Sequence, residues 1–96
     1  MNDKHVEALI KEYGTHAEWR ILPVGAPVAD KHKADLHLIR FGTFASGEEY
    51  AYGLIFNDSR HLFLDNTDVR TSMIVDKYEI DGVKYVETRN TLYKLI

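Results

Sequence analysis

Apolar and polar positions alternate with a period of two along most of the chain after residue 16. Such alternation is typical of half-buried β-strands, whose successive side chains point to opposite faces of a sheet. Turn residues separate the alternating segments, which cover residues 17–22, 36–44, 50–56, 60–64, 69–75 running on to 77–80, 83–88 and 92–96. About six or seven short strands joined mostly by tight turns favour an antiparallel sheet that curls, or closes, into a small β-barrel.

A different period marks the first residues of the chain. Val6, Leu9, Ile10 and Tyr13 follow the i, i+3, i+4, i+7 spacing that places side chains on one face of an α-helix. Gly14 can end such a helix, because glycine adopts the left-handed conformation without steric cost. The sequence therefore predicts one short N-terminal helix over residues 3–13, packed on the sheet. The expected fold class is α+β, mainly β, in a single domain spanning residues 1–96.

The dipeptide Asp81-Gly82 is the strongest local signal in the sequence. It favours the positive φ angles of a two-residue type I′ turn, and it lies between two alternating segments. A two-residue loop fixes the register, and three facing pairs follow: Ile80 with Val83, Tyr78 with Tyr85, and Glu79 with Lys84. Further along the hairpin, Asp76 faces Glu87, a like-charge pair that needs a neutralising group. Arg89 is the nearest candidate in the sequence.

The connections between strands carry less information. Residues 23–29 contain both prolines of the chain and are expected to form a connection, and the charged residues 30–34 are expected to be exposed. Gly53, inside a predicted strand, indicates a β-bulge or a close approach of another backbone segment.

Composition limits the class of protein. Ninety-six residues suffice for one domain, and 45% apolar with 11% aromatic residues excludes a disordered chain. A net charge of −3 argues against direct nucleic-acid binding, since proteins of that class are usually basic. The absence of cysteine excludes disulfides and thiolate metal sites. Apolar runs are too short for a membrane span, so the expected location is the cytoplasm.

No catalytic or cofactor-binding motif is present in the sequence. GxSxG, P-loop and GxGxxG patterns are absent, and the three serines, Ser46, Ser59 and Ser72, fall at turns or strand ends. The five histidines form no HExxH pattern, so no metal site is expected. We expect a protein that is not an enzyme and that needs no cofactor.

Charge is distributed unevenly, and it suggests two binding surfaces. Residues 41–69 carry one arginine against five carboxylates, whereas residues 20–40 have a net positive charge. An acidic surface with aromatic anchors would bind a protein partner, and its candidate residues are Glu48, Glu49, Tyr50, Tyr52, Asp58 and Phe63. The alternative is a phosphate site formed by His37, Arg40, Arg70 and Arg89, because guanidinium groups suit phosphate. A structural role at strand ends, with ion pairs to nearby carboxylates, is the favoured explanation of Arg70 and Arg89.

A resemblance supplies a biological context. Residues 50–96 carry Gly53, Asp58-x-Arg60, Phe63-x-Asp65, Val69-Arg70-Thr71-Ser72-x-Ile74-Val75 and Val86-x-Thr88-Arg89-Asn90-Thr91-x-Tyr93-x-Leu95. This pattern resembles small orphan accessory proteins of temperate phages and prophages. The resemblance implies no catalytic residue. It implies a phage protein that inhibits a bacterial defence system, in the manner of an anti-CRISPR protein, by contact with a host defence protein. The alternative is a module that sequesters a phosphorylated nucleotide signal. An open sheet edge would also allow a homodimer.

Overall fold

The computed structural model describes residues 19–96, and all regular elements in this range are strands. The strands are β1 (Arg20–Leu22), β2 (His32–Thr43), β3 (Glu49–Phe56), β4 (Thr67–Arg70), β5 (Ile74–Ile80), β6 (Val83–Thr88) and β7 (Thr91–Leu95). The mainly β prediction is confirmed, and the predicted helix 3–13 lies outside the described residues. No helix within the described range has the length and apolar character needed to cross a membrane.

The seven strands form one mixed sheet in the order β1-β5-β6-β7-β2-β3-β4. The prediction of an antiparallel sheet is wrong at two places, because β1 runs parallel to β5 and β7 runs parallel to β2. Tight turns specify only the strands they join, and neither parallel pair is joined by a tight turn. The sheet is also open and not a closed barrel, since β1 and β4 are its edges. The homodimer that such edges would allow stays a prediction.

The sheet is nevertheless strongly curled. Register shifts interrupt β2 between Leu38 and Arg40 and β5 between Ile74 and Asp76, and β-bulges of this kind bend a strand. The curl brings β3 near β5, although three strands separate them in the sheet. Lys77 Nζ on β5 lies 2.7 Å from the Glu49 carboxylate on β3.

Alternation along the strands divides the sheet into an inner and an outer face. The inner face, inside the curl, carries the buried side chains Ala34, Leu36, Ala51, Ile55 and Val86. Burial of each of the larger side chains among them, Leu36, Ile55 and Val86, stabilises the fold by roughly 1.5–3 kcal/mol. Trp19 adds to this core: its ring lies 6.1 Å from Phe41, and Lys77 Nζ lies 5.5 Å from its centroid.

The predicted hairpin is confirmed in every pair. Ile80 faces Val83, Tyr78 faces Tyr85, Glu79 faces Lys84, and Asp76 faces Glu87. Asp81 and Gly82 have φ angles of 50° and 79°, as a type I′ turn requires. The cations beside the two facing carboxylates are Arg20 and Lys31, however, and not Arg89.

Three segment boundaries in the prediction are wrong. Residues 60–64 were expected to form a strand, but they belong to the loop between β3 and β4. Their apolar side chains resemble a buried strand in the sequence, yet Leu62 and Leu64 are exposed. β2 begins at His32, inside the segment expected to be exposed, and Ala34 is buried. The predicted strand 69–75 is interrupted, because β4 ends at Arg70 and β5 begins at Ile74.

Candidate functional site: an arginine and tyrosine surface

Within residues 19–96, the chain covers one half of the outer face of the sheet and leaves the other half open. Over β5 to β7, the connection between β1 and β2 lies on the sheet, and Tyr78 and Leu92 are buried there. A partly open pocket of about 210 Å³ is lined here by Val28, Tyr85 and Leu92, together with residues of β2. Over β2 to β4, the arginines Arg40 and Arg70 are exposed. The open half is therefore the part of the sheet that can meet another molecule.

Arg40, Tyr52 and Arg70 form a row across three adjacent strands on this open half. Tyr52 of β3 pairs with Arg40 of β2 on one side and with Arg70 of β4 on the other. The register shift after Leu38 is responsible for this row, since Leu38 points to the inner face. In an uninterrupted strand, Arg40 would share the face of Leu38 and point into the core.

Each guanidinium group lies over aromatic rings. Arg40 Cζ is 5.2 Å from the Tyr52 ring centroid and 6.0 Å from that of Tyr50. Arg70 Cζ is 5.2 Å from Phe44 and 5.4 Å from Tyr50. The Phe44 and Tyr50 rings are themselves in contact, with centroids 5.0 Å apart. We call these five residues, Arg40, Phe44, Tyr50, Tyr52 and Arg70, the arginine–tyrosine surface.

Hydrogen bonds orient the tyrosines of this surface. The Tyr52 hydroxyl donates to the Asp68 carboxylate at 3.0 Å, and Arg40 Nη1 donates to the Tyr50 hydroxyl at 3.4 Å. The hydrogen bond to Asp68, followed by the charge of that carboxylate, raises the pKa of Tyr52. Neither Arg40 nor Arg70 forms an ion pair within 4 Å to a carboxylate of residues 19–96. Their positive charges are therefore available to an external anion.

The residues expected to form an acidic surface lie in different places. Tyr50 and Tyr52 belong to the arginine–tyrosine surface. Glu48 is exposed at the β2–β3 turn, where it accepts a hydrogen bond from Ser46. Glu49 points to the inner face and pairs with Lys77. Asp58 is 4% exposed, so its carboxylate is not on the surface, whereas Phe63 is 47% exposed on the β3–β4 loop.

The residues expected to form a phosphate site are also only partly together. His37 faces Leu54 on the outer face of β2, on the same open half as Arg40 and Arg70. Arg89 lies at the β6–β7 turn, two residues before Thr91, which pairs with His32 at the start of β2. Arg40 is eight positions further along β2 than His32, a distance on the order of 25 Å along an extended strand. Arg89 is thus not part of the same site.

The sequence patterns did not predict two features of the fold. Phe44 completes the arginine–tyrosine surface, and the only signal for it was an aromatic residue at the end of a predicted strand. His32, Asp58 and Ser59 are joined by hydrogen bonds between β2 and the β3–β4 loop. The adjacency of Asp58 and Ser59 in a turn was visible, but nothing in the sequence connects them with His32. No group of three or more residues suited to metal binding occurs among residues 19–96.

Comparison with known proteins gives no assignment: no family model, no curated protein and no solved structure matches this chain.

Proposed function

We propose that this chain is a phage-encoded binding protein that inhibits a bacterial defence protein in the host cytoplasm by occupying part of its surface. The contact is made by the arginine–tyrosine surface, and the partner presents an acidic patch. The phage context comes from the resemblance of residues 50–96 to phage and prophage accessory proteins.

The observation that carries the choice of surface is the pairing of two exposed arginines with aromatic rings instead of carboxylates. Arginine and tyrosine are enriched among the residues that contribute most to protein–protein affinity. A guanidinium group that already lies on a ring loses less side-chain freedom when it meets a carboxylate of the partner. Arg40 and Arg70 are also exposed on the outer face of the sheet, where a protein partner can reach them.

The charge expected on the partner's surface is therefore the opposite of the one that the sequence suggested. The negative segment 41–69 suggested an acidic contact surface, but two of its carboxylates, Glu49 and Asp58, have partners inside this chain. The open half instead carries Arg40 and Arg70, neither of which pairs with a carboxylate of residues 19–96. An acidic partner would be attracted over a distance of about a Debye length, so association should slow as salt concentration rises.

A charge-reversal experiment tests the proposal. Bacteria carrying individual defence systems would express the wild-type chain, and phage plating would identify a system that it blocks. The Arg40→Glu/Arg70→Glu variant should lose this inhibition and its binding to the purified defence protein. The matched control is Arg60→Glu/Arg89→Glu, which makes the same change of charge at exposed arginines outside the surface.

Three outcomes separate the explanations. Loss of binding only in the Arg40/Arg70 variant supports the proposed surface. Equal loss in both variants would show that net charge, and not this surface, matters. Thermal stabilisation of the purified chain by cyclic or ADP-ribose-type nucleotides, lost in the Arg40/Arg70 variant, would favour the nucleotide-sequestering alternative.

A further inference from the structure

His32, Asp58 and Ser59 form a continuous hydrogen-bonded chain at the end of the sheet away from the arginine–tyrosine surface. The Ser59 hydroxyl lies 2.7 Å from His32 Nδ1, and His32 Nε2 contacts the Asp58 carboxylate. The three side-chain types are those of a Ser–His–Asp triad, with the two ring nitrogens exchanged relative to the usual order.

Backbone pairing between β2 and the β3–β4 loop holds these residues together. β2 and β3 are antiparallel, and the chain beyond Phe56 continues beside the first residues of β2. Ser59 N donates to the Lys33 carbonyl at 2.9 Å, and Lys33 N donates to Ser59 Oγ at 3.0 Å. The serine is therefore fixed at the backbone and at the side chain, although the residue is exposed.

The surroundings of Asp58 favour the charged form of its carboxylate. Its side chain is 1% exposed, and its oxygens accept backbone N–H groups from Leu62 at 2.9 Å, Phe63 at 3.1 Å and Arg60 at 3.4 Å. Burial alone raises the pKa of Asp58, but these N–H groups, together with the nearby His32, outweigh burial and lower it.

A charged Asp58 determines the tautomer of neutral His32. The carboxylate can only accept, so Nε2 carries the proton, and Nδ1 is left as an acceptor directed at the Ser59 hydroxyl. The Lys33 N–H group points at Ser59 Oγ and would stabilise negative charge on that oxygen. A general base, an orienting carboxylate and a donor to the nucleophile are all within hydrogen-bond distance.

We propose that Ser59 is a nucleophilic serine, with His32 as its base, that accepts the acyl group of an activated ester. Oγ forms a bond to the carbonyl carbon while the hydroxyl proton moves to His32 Nδ1. The bond from that carbon to the leaving oxygen then breaks, and the leaving group takes the proton from His32. Leu62 and Phe63, exposed on the same loop, favour an ester with an apolar acyl chain.

This inference is independent of the proposed binding function, and it goes against the expectation that the chain is not an enzyme. The sequence carries no motif for it, since the base and the nucleophile are 27 residues apart. Only the acylation step is inferred, so one acyl group per chain is the expected product.

An alkyl fluorophosphonate is a direct probe of the full-length protein. Attack by Ser59 forms an oxygen–phosphorus bond, displaces fluoride and leaves the proton on His32. Peptide mass mapping would compare the labelling rates of Ser46, Ser59 and Ser72, which are all exposed. We expect Ser59 to react at least about 100-fold faster than the other two, in line with the contribution of a positioned base.

Two variants identify the base. His32→Gln should lower the labelling rate of Ser59 by about 100-fold, whereas His61→Gln, on the same loop and exposed, should leave it unchanged. Circular dichroism would check that both variants are folded. Equal labelling of the three serines in the wild-type protein would overturn the proposal, whether or not the variants fold. Unchanged labelling in folded His32→Gln would overturn the role of His32.

Discussion

Asp76 and Glu87 face each other directly across β5 and β6, and a cation from a different segment meets each carboxylate. Arg20 of β1 binds both oxygens of Asp76, at 3.2 and 2.5 Å. Lys31, at the end of the connection before β2, lies 2.8 Å from Glu87 and also donates to the Thr88 carbonyl at 2.8 Å. The like-charge pair thus attaches β1 and the β1–β2 connection to the hairpin.

The more buried of these two ion pairs should contribute most to stability. Replacement of Lys31 by Met leaves Glu87 beside Asp76 without its cation, so we expect the free energy of unfolding to fall by about 1–3 kcal/mol. Lys84→Met is the matched control, because Lys84 pairs with Glu79 at 3.1 Å and is 38% exposed. Its loss should be below about 1 kcal/mol. Denaturant unfolding measures both, and equal losses would contradict the structural role of Lys31.

Replacement of Tyr78 by Phe should stabilise the protein. The residue is 2% exposed, and its hydroxyl lies near the Glu87 carboxylate and the Ala29 backbone but forms no hydrogen bond of good geometry to any group of residues 19–96. Tyr78→Phe keeps the ring, which is stacked 5.5 Å from Tyr85, and removes the unsatisfied hydroxyl. We expect the free energy of unfolding to rise by about 1 kcal/mol at neutral pH. Tyr85→Phe is the control within the same stack, and a loss specific to Tyr78→Phe would show that the hydroxyl is bonded.

Tyr78 should also make the folded protein less stable at alkaline pH. Burial, followed by the weak hydrogen-bond interaction of the hydroxyl with the Glu87 carboxylate and by the charge of that carboxylate, raises the pKa of Tyr78 to about 12 from an ordinary value of 10.0. The unfolded chain therefore loses this proton first, and the stability contributed below pH 10 is lost as the pH rises toward 12. The loss is on the order of 2–3 kcal/mol. Unfolding measured at pH 9 to 12 should show a smaller decline in Tyr78→Phe; an equal decline would assign the effect to other groups.

The sequence predicts best those parts of the structure that depend on a few neighbouring residues. Asp81-Gly82 specifies its turn by itself, so all the hairpin pairs could be predicted. The row of Arg40 with Tyr52 and Arg70 depends on a one-residue shift in β2, which no periodicity reveals. Arg40 and Arg70 were assigned to one predicted site and Tyr52 to another, because alternation gives the face of a strand only until a bulge reverses it.

The β3–β4 loop shows a second limit of sequence patterns. Leu62, Phe63 and Leu64 look like a buried strand, but Asp58 accepts the N–H groups of two of them and so removes them from strand pairing. Asn57, His61 and Asn66 adopt positive φ angles of 53°, 54° and 69°, which also break a strand. Side-chain acceptors for backbone groups depend on three-dimensional geometry and leave little trace in apolar periodicity.

Acid should weaken the protein through Asp58. Because the folded-state pKa of Asp58 lies below its ordinary value of 3.8, the unfolded chain binds this proton first as the pH falls. The stabilisation is complete well above pH 3.8 and is lost as the pH drops through the lower folded-state value. Asp58→Asn should lose about 1–3 kcal/mol at neutral pH and show a smaller further decline in acid. Asp65→Asn, which affects one backbone hydrogen bond on the same loop, is the control. An identical acid response in wild type and Asp58→Asn would contradict this assignment.

Gly53 tests the close approach of β3 to β2. Gly53 is buried, and a Cβ atom there would meet the backbone of His37 and lie 3.1 Å from Leu38 Cα. Backbone within a paired strand cannot move aside cheaply, so Gly53→Ala should lower the free energy of unfolding by about 1–3 kcal/mol. Gly42→Ala is the matched control, because its Cβ would meet only the Tyr50 ring, which can rotate.

We therefore expect Gly42→Ala to cost less than about 1 kcal/mol, since a side chain on an open face can adjust. It should instead displace Tyr50 and weaken partner binding by the arginine–tyrosine surface. Denaturant unfolding of the two variants, each compared with wild type, separates the effects. Equal stability of Gly53→Ala and Gly42→Ala would show that β2 and β3 do not approach each other closely at Gly53. It would also contradict the strand register that places Arg40 beside Tyr52.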